Sequence, residues 1–353
     1  MRTVQVIASR GLGGAEGFFR RLCGGLVERG CGVHAVLRQG AALAGALPAQ
    51  IPHSALPLRT VWDPLSRGEL QREIERRRPD LVQTWMSRAT ALTRAPRHAV
   101  HVARLGGFYD PGRFDHADAL VVNSRGLADH LLAAGLPATR IHLIGNFVDT
   151  PPPASADELR ALRAALPLPA DAWLLLAAGR CVPVKGWDVL LSAFAKLPRQ
   201  IAGRPTGLLL LGDGPLRPAL QRQAQQLGIA ERVHFAGWQA DPAPFYALAD
   251  LVVFPSRATE ALGNVILETW AHGRPLLTTA SRGAVELTRP GVDALQVPCE
   301  DAAALTAGIA TLLADDHLRV SLAAAGRTRA EQDFGRAAGV GAYLGLYRQL
   351  LGM

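Results

Sequence analysis

Short apolar runs alternate with longer amphipathic segments along most of this chain. The runs at 3–8 and 33–37 come first, and the segment between them carries apolar residues at helical spacing. Buried strands that alternate with amphipathic helices are typical of βαβ units, whose strands form parallel sheets. The pattern predicts further strands at residues 81–85, 100–105, 119–124, 140–144, 172–178, 208–211, 232–237 and 251–254. From residue 302 to residue 351 it predicts helices, and the whole chain is predicted to be an α/β protein.

A proline-rich segment divides the chain into two parts. Residues 150–156 include three consecutive prolines, which prefer a stiff extended path and cannot enter the interior of a helix. A chain of 353 residues is long enough for two domains, each with its own core. We therefore predict one domain over residues 1–150 and a second domain that begins at residue 151.

The composition is typical of a soluble globular protein. Hydrophobic residues make up 49% of the chain and charged residues 19%. No apolar run reaches the length of about 18 residues that predicts a membrane span, and no signal-peptide pattern follows Met1. We therefore expect a cytoplasmic protein. The four cysteines are scattered without a Cys-x-x-Cys pair, so neither a zinc site nor a disulfide framework is predicted.

The positive charge is concentrated in the first half of the chain. Residues 1–150 contain nineteen arginines, no lysine and twelve acidic residues, a net charge of +7, whereas the remainder is nearly neutral. Such a field favours phosphorylated partners or an anionic membrane surface. No nucleic-acid-binding motif accompanies it, so nucleic acid is not a predicted partner. The predicted helix 66–78 ends in Arg76–Arg78 and is expected to be a solvated face, with contact to lipid headgroups as the alternative.

The stretch 256–275 carries the pattern most specific to one class of ligand. A predicted helix begins there near Leu262 or Gly263. Unpaired N–H groups and the positive end of the dipole at a helix start bind phosphate. Glu260 precedes this start and Glu268 lies one turn inside the helix. Carboxylates repel phosphate but accept hydrogen bonds from sugar hydroxyls. An acid on each side of a phosphate site therefore predicts a nucleoside diphosphate sugar.

Glu260, Gly263–Val265 and Glu268 resemble the Glu–seven residues–Glu motif of retaining GT-B glycosyltransferases of family 4. In that family the first Glu contacts the donor sugar, the following amides hold the diphosphate and the second Glu holds the ribose. The resemblance implies two Rossmann-like domains that face each other across a cleft, with the donor on the second domain and the acceptor on the first. It also implies transfer of a hexose from a nucleotide diphosphate sugar, expected to be a UDP-sugar, with retention of anomeric configuration. Neither a cofactor nor a bound metal is implied.

Other segments of the second half resemble donor-binding elements of the same family. Arg180 and Lys185 follow the predicted strand 172–178 and match cations that reach the donor phosphates. Two cations at this place suit the charge that develops on a leaving diphosphate, so these residues and Glu260 are the candidate catalytic residues. The predicted donor-binding residues are Gly14, Gly212, Gly214, Trp238, Gly263, Asn264, Val265 and Glu268.

In the first half, Gly13–Glu16 resemble the Gly-Gly-Ala-Glu element that begins the first helix of family members. The glycines of this region miss the spacing of a dinucleotide fingerprint, so an NAD(P) site is disfavoured. The segment 103–109 resembles the acceptor half of lipopolysaccharide-core enzymes, which implies that core or another lipid-linked glycan as acceptor. Arg104 stands where many members carry a histidine. The candidate acceptor-binding residues are Gly13, Glu16 and Arg104.

The resemblance also assigns the end of the chain and a position in the cell. The final helix, about 335–353, is implied to pack on the first domain, which leaves 151–334 as the donor domain. A lipid-linked acceptor and a basic first domain together predict a cytoplasmic protein that attaches peripherally to the inner face of the cytoplasmic membrane.

Two alternatives stay open. A GT-B sugar-nucleotide epimerase would need acid–base groups, for which His98, His101 and Asp110 are the nearby candidates. A non-catalytic nucleotide-sugar-binding partner would bind the donor without transferring its sugar. Product analysis without an acceptor separates the first alternative from a transferase, and a test for transfer or hydrolysis separates the second.

Overall fold

The computed structural model describes residues 1–353, which form two compact units. Unit 1 comprises Met1–Phe147 and Arg336–Met353, and unit 2 comprises Val148–Gly335. The predicted boundary lay at residue 150, and the structural boundary lies three residues earlier. None of the helices combines the length and the apolar character that a membrane crossing requires.

Unit 1 is built on a sheet of seven parallel strands. In chain order the strands are β1 (Arg2–Ile7), β2 (Gly32–Arg38), β3 (His53–Leu56), β4 (Leu81–Trp85), β5 (Val100–Leu105), β6 (Ala119–Val122) and β7 (Ile141–Leu143). Across the sheet they lie in the order β3-β2-β1-β4-β5-β6-β7. The connecting helices are α1 (Gly14–Glu28), α2 (Pro64–Arg77), α3 (Met86–Leu92) and α4 (Arg125–Ala133).

Helices cover both faces of this sheet, as its sequence pattern predicts. Phe18 and Leu22 of α1 pack with Trp85 on one face, while Ile74 of α2 packs with Val6 on the other. A parallel sheet covered on both faces has strands that are continuously apolar rather than alternating. This explains why the strands predicted at 81–85 and 100–105 coincide with β4 and β5.

Unit 2 repeats the same architecture. Its strands are β8 (Trp173–Ala178), β9 (Gln200–Ile201), β10 (Arg204–Leu211), β11 (Val233–Gly237), β12 (Leu251–Phe254), β13 (Leu276–Thr279) and β14 (Leu295–Val297). The parallel order is β11-β10-β8-β12-β13-β14, and β9 pairs antiparallel with β10. The helices are α5 (Ala156–Ala165), α6 (Trp187–Ala195), α7 (Arg217–Gln226), α8 (Ala243–Leu248), α9 (Asn264–Ala271), α10 (Arg282–Leu287), α11 (Ala302–Ala314) and α12 (Asp316–Gln332).

The last helix, α13 (Arg336–Leu351), belongs to the core of unit 1. It approaches α1 closely at Gly25, where a Cβ atom would lie 2.4 Å from Cγ2 of Val340. Tyr347 is buried, and its hydroxyl donates a hydrogen bond of 2.6 Å to Oε1 of Gln83 on β4. Glycine thus lets the two helix backbones meet, and a polar bond fixes α13 against the sheet.

Two local predictions need correction. The segment 150–156 is not linker throughout, because Ser155 and Glu158 form a capping box that starts α5 at Ala156. The helix predicted at 66–78 is not simply a solvated face, since Glu73 is buried. Its carboxylate accepts hydrogen bonds from the Ser54 hydroxyl at 2.6 Å and from Nε of Arg77 at 2.9 Å. A buried carboxylate requires such partners, and the pattern of charges alone does not show them.

Candidate functional site

The start of α9 is an uncapped helix N-terminus at the carboxyl end of β12. Gly263 is the residue before the helix, with a φ of +97°, and it has no side chain that could bond the first-turn amides. A Cβ atom at this position would lie 2.4 Å from Cζ of Phe254, so only glycine fits. Leu262, Val265, Ile266 and Trp270 are buried, as their spacing predicts. The packing of α9 therefore directs its first amides, at Asn264 and Val265, toward an anion-binding position.

A lysine and a carboxylate meet beside this helix start. Nζ of Lys185 lies 2.6 Å from Oε2 of Glu260, and both side chains are largely enclosed. Ser256 donates a hydrogen bond of 3.3 Å to the same carboxylate oxygen. Nζ of Lys185 also lies 5.5 Å from the centre of the Phe254 ring. The structure thus brings together two of the three predicted catalytic residues, which are 75 positions apart in the sequence.

The glycine-rich turns of β8 and β10 pack directly on each other. Gly212 has a φ of +144°, and a Cβ atom there would lie 1.7 Å from the carbonyl oxygen of Gly179. The adjacent Asp213 accepts hydrogen bonds from the Gly214 amide at 2.7 Å and from Arg217 at 2.9 Å. These bonds hold the pKa of the Asp213 carboxyl below its usual range. The turn is therefore a rigid, backbone-lined surface that a ligand can approach closely.

The remaining donor candidates are exposed at the ends of strands. Arg180 follows β8 and is exposed, and its side chain makes neither a hydrogen bond nor an ion pair, so its guanidinium is available to an anion. Trp238 directly follows β11 and is 49% exposed. An exposed ring at the carboxyl edge of a parallel sheet suits stacking on a planar base.

Glu268 has a partner that the sequence did not indicate. The hydroxyl of Tyr246 donates a hydrogen bond of 3.0 Å to Oε2 of Glu268. The ring of Tyr246 is buried and stacks on His272, with centroids 5.0 Å apart. Nδ1 of His272 in turn lies 2.7 Å from the backbone oxygen of Glu268. Tyr246 and Ser256 are thus the two site residues that the sequence analysis did not predict. Tyr246 bonds Glu268, and Ser256 bonds Glu260.

In unit 1, Glu16 is an enclosed carboxylate at the start of α1. It is 7% exposed, and it has neither a hydrogen-bond donor nor a salt-bridge partner. A Cβ atom on Gly13 would lie 3.1 Å from Oε2 of Glu16, so glycine leaves this oxygen room. The positive end of the helix dipole stabilises a carboxylate here. Burial raises the pKa of Tyr109, the charge of Arg104 opposes this rise, and the charge of Glu16 adds to it.

The predicted acceptor contact of Arg104 needs correction. Arg104 is only 2% exposed, and its Nε donates a hydrogen bond of 3.0 Å to the hydroxyl of Tyr343 on α13. Another of its nitrogens donates to Asn146, and the guanidinium lies 4.5 Å from the ring centre of Phe18. An arginine enclosed in this way holds α13 to the sheet instead of reaching a ligand.

The acid–base groups that an epimerase would need are poorly placed. His101 is buried in β5, and its Nε2 lies 3.0 Å from the hydroxyl oxygen of Thr84. Burial lowers the pKa of His101 to about 3, so the ring is neutral near pH 7. His98 is exposed on the loop before β5. Clusters of three or more His, Cys, Asp or Glu side chains that could hold a metal ion are absent from the chain.

Comparisons with known proteins agree with this architecture. Residues 12–151 match the model of Glycosyltransferase Family 4, and residues 173–315 match that of Glycosyl transferases group 1. The chain is 37% identical to the lipopolysaccharide core biosynthesis glycosyltransferase LpsE of Rhizobium meliloti (strain 1021), over 342 residues that cover 95% of both chains. It is 32% identical to LpsD of the same organism over 341 residues, again 95% of both chains.

Solved structures share the fold over almost the whole chain. Anabaena Alr3699/HepE, in complex with UDP and glucose, superimposes with a TM-score of 0.86 at 22% identity, covering 99% of this chain and 100% of that one. WaaG, a glycosyltransferase involved in lipopolysaccharide biosynthesis, gives a TM-score of 0.75 at 19% identity, covering 98% and 99%. The two Rossmann-like domains are those of a GT-B glycosyltransferase, as predicted. The chain belongs to glycosyltransferase family 4.

Proposed function

We propose that this protein transfers a hexose from a nucleotide diphosphate sugar, with UDP as the nucleotide, to the lipopolysaccharide core or another lipid-linked glycan. The observation that carries the proposal is the contact of 2.6 Å between Lys185 and Glu260 beside the α9 N-terminus. A cation and an amide cluster suit a diphosphate, and the adjoining carboxylate suits the hydroxyls of the attached sugar. The UDP and glucose bound to HepE and the names of LpsE and LpsD support the choice of donor and acceptor.

The proposed reaction proceeds with retention and without a bound metal. The bond between the anomeric carbon and the diphosphate oxygen breaks, and the acceptor oxygen forms a bond to the same face of that carbon. Arg180, Lys185 and the first amides of α9 stabilise the negative charge on the departing diphosphate, which takes the proton of the acceptor hydroxyl. Glu260 orients the hexose. Glu268 accepts hydrogen bonds from the ribose, and Trp238 stacks on the base.

Gly13 and Glu16 are proposed to bind the acceptor. The carboxylate of Glu16 accepts no hydrogen bond from the chain, so it can accept one from a donor on a ligand. An acceptor hydroxyl is such a donor. Gly14, at the first position of α1, would hold the donor diphosphate through its amide.

The catalytic assignment is tested by substitution of Lys185 and Glu260 with alanine. For Lys185→Ala we expect kcat for transfer to fall by about 10²–10³, the loss typical when one group that stabilises a developing oxyanion is removed. For Glu260→Ala we expect a fall of about 10², because the hexose is no longer held in the reactive orientation. Lys196→Ala is the matched control, because Lys196 is the other lysine of the chain and is exposed at the end of α6. Near-normal transfer by Lys185→Ala would show that the cation does not act on the leaving group.

Donor identity and metal dependence have separate tests. Among UDP-, GDP- and ADP-sugars, a UDP-sugar should raise the melting temperature most, because a ligand that binds only the folded state stabilises it. Transfer should continue after treatment with a chelator, and loss of activity that a divalent cation restores would reject metal independence. Donor binding without transfer or hydrolysis would instead indicate a nucleotide-sugar-binding protein.

The acceptor implies a position in the cell. A lipid-linked glycan lies in a membrane, and the excess of positive charge in residues 1–150 would attract an anionic membrane surface. We propose that the protein is cytoplasmic and attaches peripherally to the inner face of the cytoplasmic membrane. Binding to phosphatidylglycerol vesicles, weakened by salt, supports this position, whereas indifference to vesicles would favour a soluble acceptor.

A further inference from the structure

Two large apolar side chains project into solvent at the start of α2 in unit 1. Trp62 is 87% exposed and Leu65 is 69% exposed. They are three positions apart, on the turn that leads into the helix and on its first turn. Exposure of one apolar side chain is ordinary, but a tryptophan and a leucine together form an apolar projection whose burial is favourable.

Hydrogen bonds fix the backbone of the segment that carries Trp62 and Leu65. Asp63 caps α2, because its carboxylate accepts hydrogen bonds from the amide of Leu65 at 3.2 Å and from the hydroxyl of Ser66 at 2.6 Å. Ser66 is fully buried and also accepts a hydrogen bond of 3.2 Å from the amide of Arg59. The turn is therefore fixed from both sides, and Trp62 and Leu65 remain exposed although the segment that carries them is ordered.

Arginines surround this apolar projection. Arg67 donates hydrogen bonds to the backbone oxygens of Val61 and Ala91, and Arg94 donates to that of Thr93 at 2.7 Å. With Trp62 and Pro64, these two arginines line one groove. Arg59 is also exposed, and its backbone amide bonds Ser66 beneath the cap. The acids nearby are Asp63, which is committed to the helix cap, and Glu69 on the next turn.

We propose that Trp62, Leu65, Arg59, Arg67 and Arg94 form a membrane-docking patch that inserts into an anionic bilayer. The indole and the leucine would enter the boundary between headgroups and acyl chains, where a tryptophan is favoured because its ring is apolar and its N–H is polar. The arginines would bind lipid phosphates around the inserted side chains. This inference rests on the proposed lipid-linked acceptor. It adds the insertion of two apolar side chains to the electrostatic attraction between a basic domain and an anionic membrane.

Insertion and general attraction differ in their response to salt. Attraction between exposed charges is screened by salt, whereas burial of apolar surface is not. Wild-type protein should therefore retain measurable binding to phosphatidylglycerol vesicles at high salt. In the double variant Trp62→Ser, Leu65→Ser this residual binding should fall by at least about tenfold, since two large side chains no longer leave water. Val320→Ser is the matched control, because Val320 is also 69% exposed but lies on α12 of unit 2.

A second measurement locates the inserted residue directly. Lipids brominated on their acyl chains should quench the tryptophan fluorescence of wild-type protein, and Trp62→Phe should lose most of this quenching. Unchanged high-salt binding in the double variant, or unchanged quenching in Trp62→Phe, would overturn the patch. A concentration-dependent dimer that dissociates in the double variant would overturn it too, in favour of an interface between two copies.

Transfer to a water-soluble acceptor fragment separates this inference from the proposed function. That activity should be equal in the double variant and in wild type, because both side chains belong to unit 1 and neither is among the residues proposed to bind the donor or the acceptor. Absence of transfer in wild type would reject the proposed function itself. Normal transfer combined with wild-type vesicle binding in the double variant would reject only the patch.

Discussion

Each glutamate of the donor motif is held by a hydroxyl from outside the motif. Ser256 bonds Glu260, and Tyr246 bonds Glu268. A carboxylate with a fixed orientation loses less freedom when it binds a sugar hydroxyl, so these hydroxyls preorganise the two ends of the donor site. Sequence motifs identify the carboxylates, whereas the hydroxyls come from the loop after β12, four positions before Glu260, and from α8, 22 positions before Glu268.

Tyr246→Phe should weaken donor binding without slowing the chemical step. The substitution keeps the buried ring and removes a hydrogen bond to a charged group, which typically contributes about 1.5–3 kcal/mol. If Glu268 binds the ribose equally in the ground state and the transition state, KM for the donor should rise by about tenfold while kcat stays nearly constant. Steady-state kinetics over a range of donor concentrations measures both quantities.

The double variant Tyr246→Phe, Glu268→Gln is the control for this prediction. Because Tyr246 is proposed to act through Glu268, its effect should largely disappear once the carboxylate is gone. Effects on KM that simply add in the double variant would contradict the positioning role of Tyr246.

Single residues also mark the limit of prediction from sequence. Lys185, Glu260 and Glu268 lie in local patterns, so the resemblance could place them without a structure. Arg104 lies in a similar pattern, but the hydroxyl that binds it belongs to Tyr343, 239 positions later. Burial by a distant segment leaves no local signal, and this is why the predicted acceptor contact was wrong.

At the level of elements, the start of α9 depends on one glycine. Gly263→Ala places a methyl group against Phe254 and imposes a left-handed conformation on a residue that avoids it. We expect the substitution to lower the free energy of unfolding of unit 2 by about 1–3 kcal/mol and to weaken donor binding as the first turn of α9 shifts. Urea unfolding and the thermal shift with a UDP-sugar measure the two effects.

Gly341→Ala provides the matched comparison. Gly341 is exposed inside α13, and a Cβ atom there would meet nothing within 4 Å. This substitution should stabilise the protein by about 0.5–1 kcal/mol, because alanine loses less conformational freedom in a helix. Equal stability and equal donor affinity for the two variants would contradict the constraint at Gly263.

Whether a strand could be predicted from the sequence depends largely on how deeply the strand is buried. The central strands of unit 1 are covered on both faces, so their sequences are continuously apolar and were predicted at the correct positions. The equally buried β13 of unit 2 is only four residues long and was not predicted. The edge strand β3 was not predicted, because His53–Leu56 alternates between exposed and half-buried residues and pairs only with β2. The weak pattern of an edge strand is easily mistaken for a loop.

For the whole molecule, the apolar pattern predicts two α/β domains but does not show which sheet each terminal helix covers, and only the family resemblance assigned the last helix to the first domain. The residues from 302 to 351 form α11, α12 and α13, and all three carry an apolar stripe. The first two pack on unit 2, whereas α13 packs on unit 1. Unit 1 is therefore completed by the last residues of the chain.

Deletion of residues 336–353 should consequently unfold unit 1 and leave unit 2 folded. The deletion removes the buried side chains of Val340, Tyr343 and Tyr347, and with them one hydrogen-bond partner of Arg104 and the partner of Gln83. Losses of about 2–5 kcal/mol for each large buried side chain together match the 5–15 kcal/mol that typically stabilises a domain, and the buried Leu344 and Leu346 are lost as well. Unit 2 keeps α9 and its turns, so a UDP-sugar should still raise the melting temperature of the remaining transition. Deletion of Gly352 and Met353 alone is the control, since both are exposed. A truncated protein that retained both unfolding transitions would show that α13 is dispensable for unit 1.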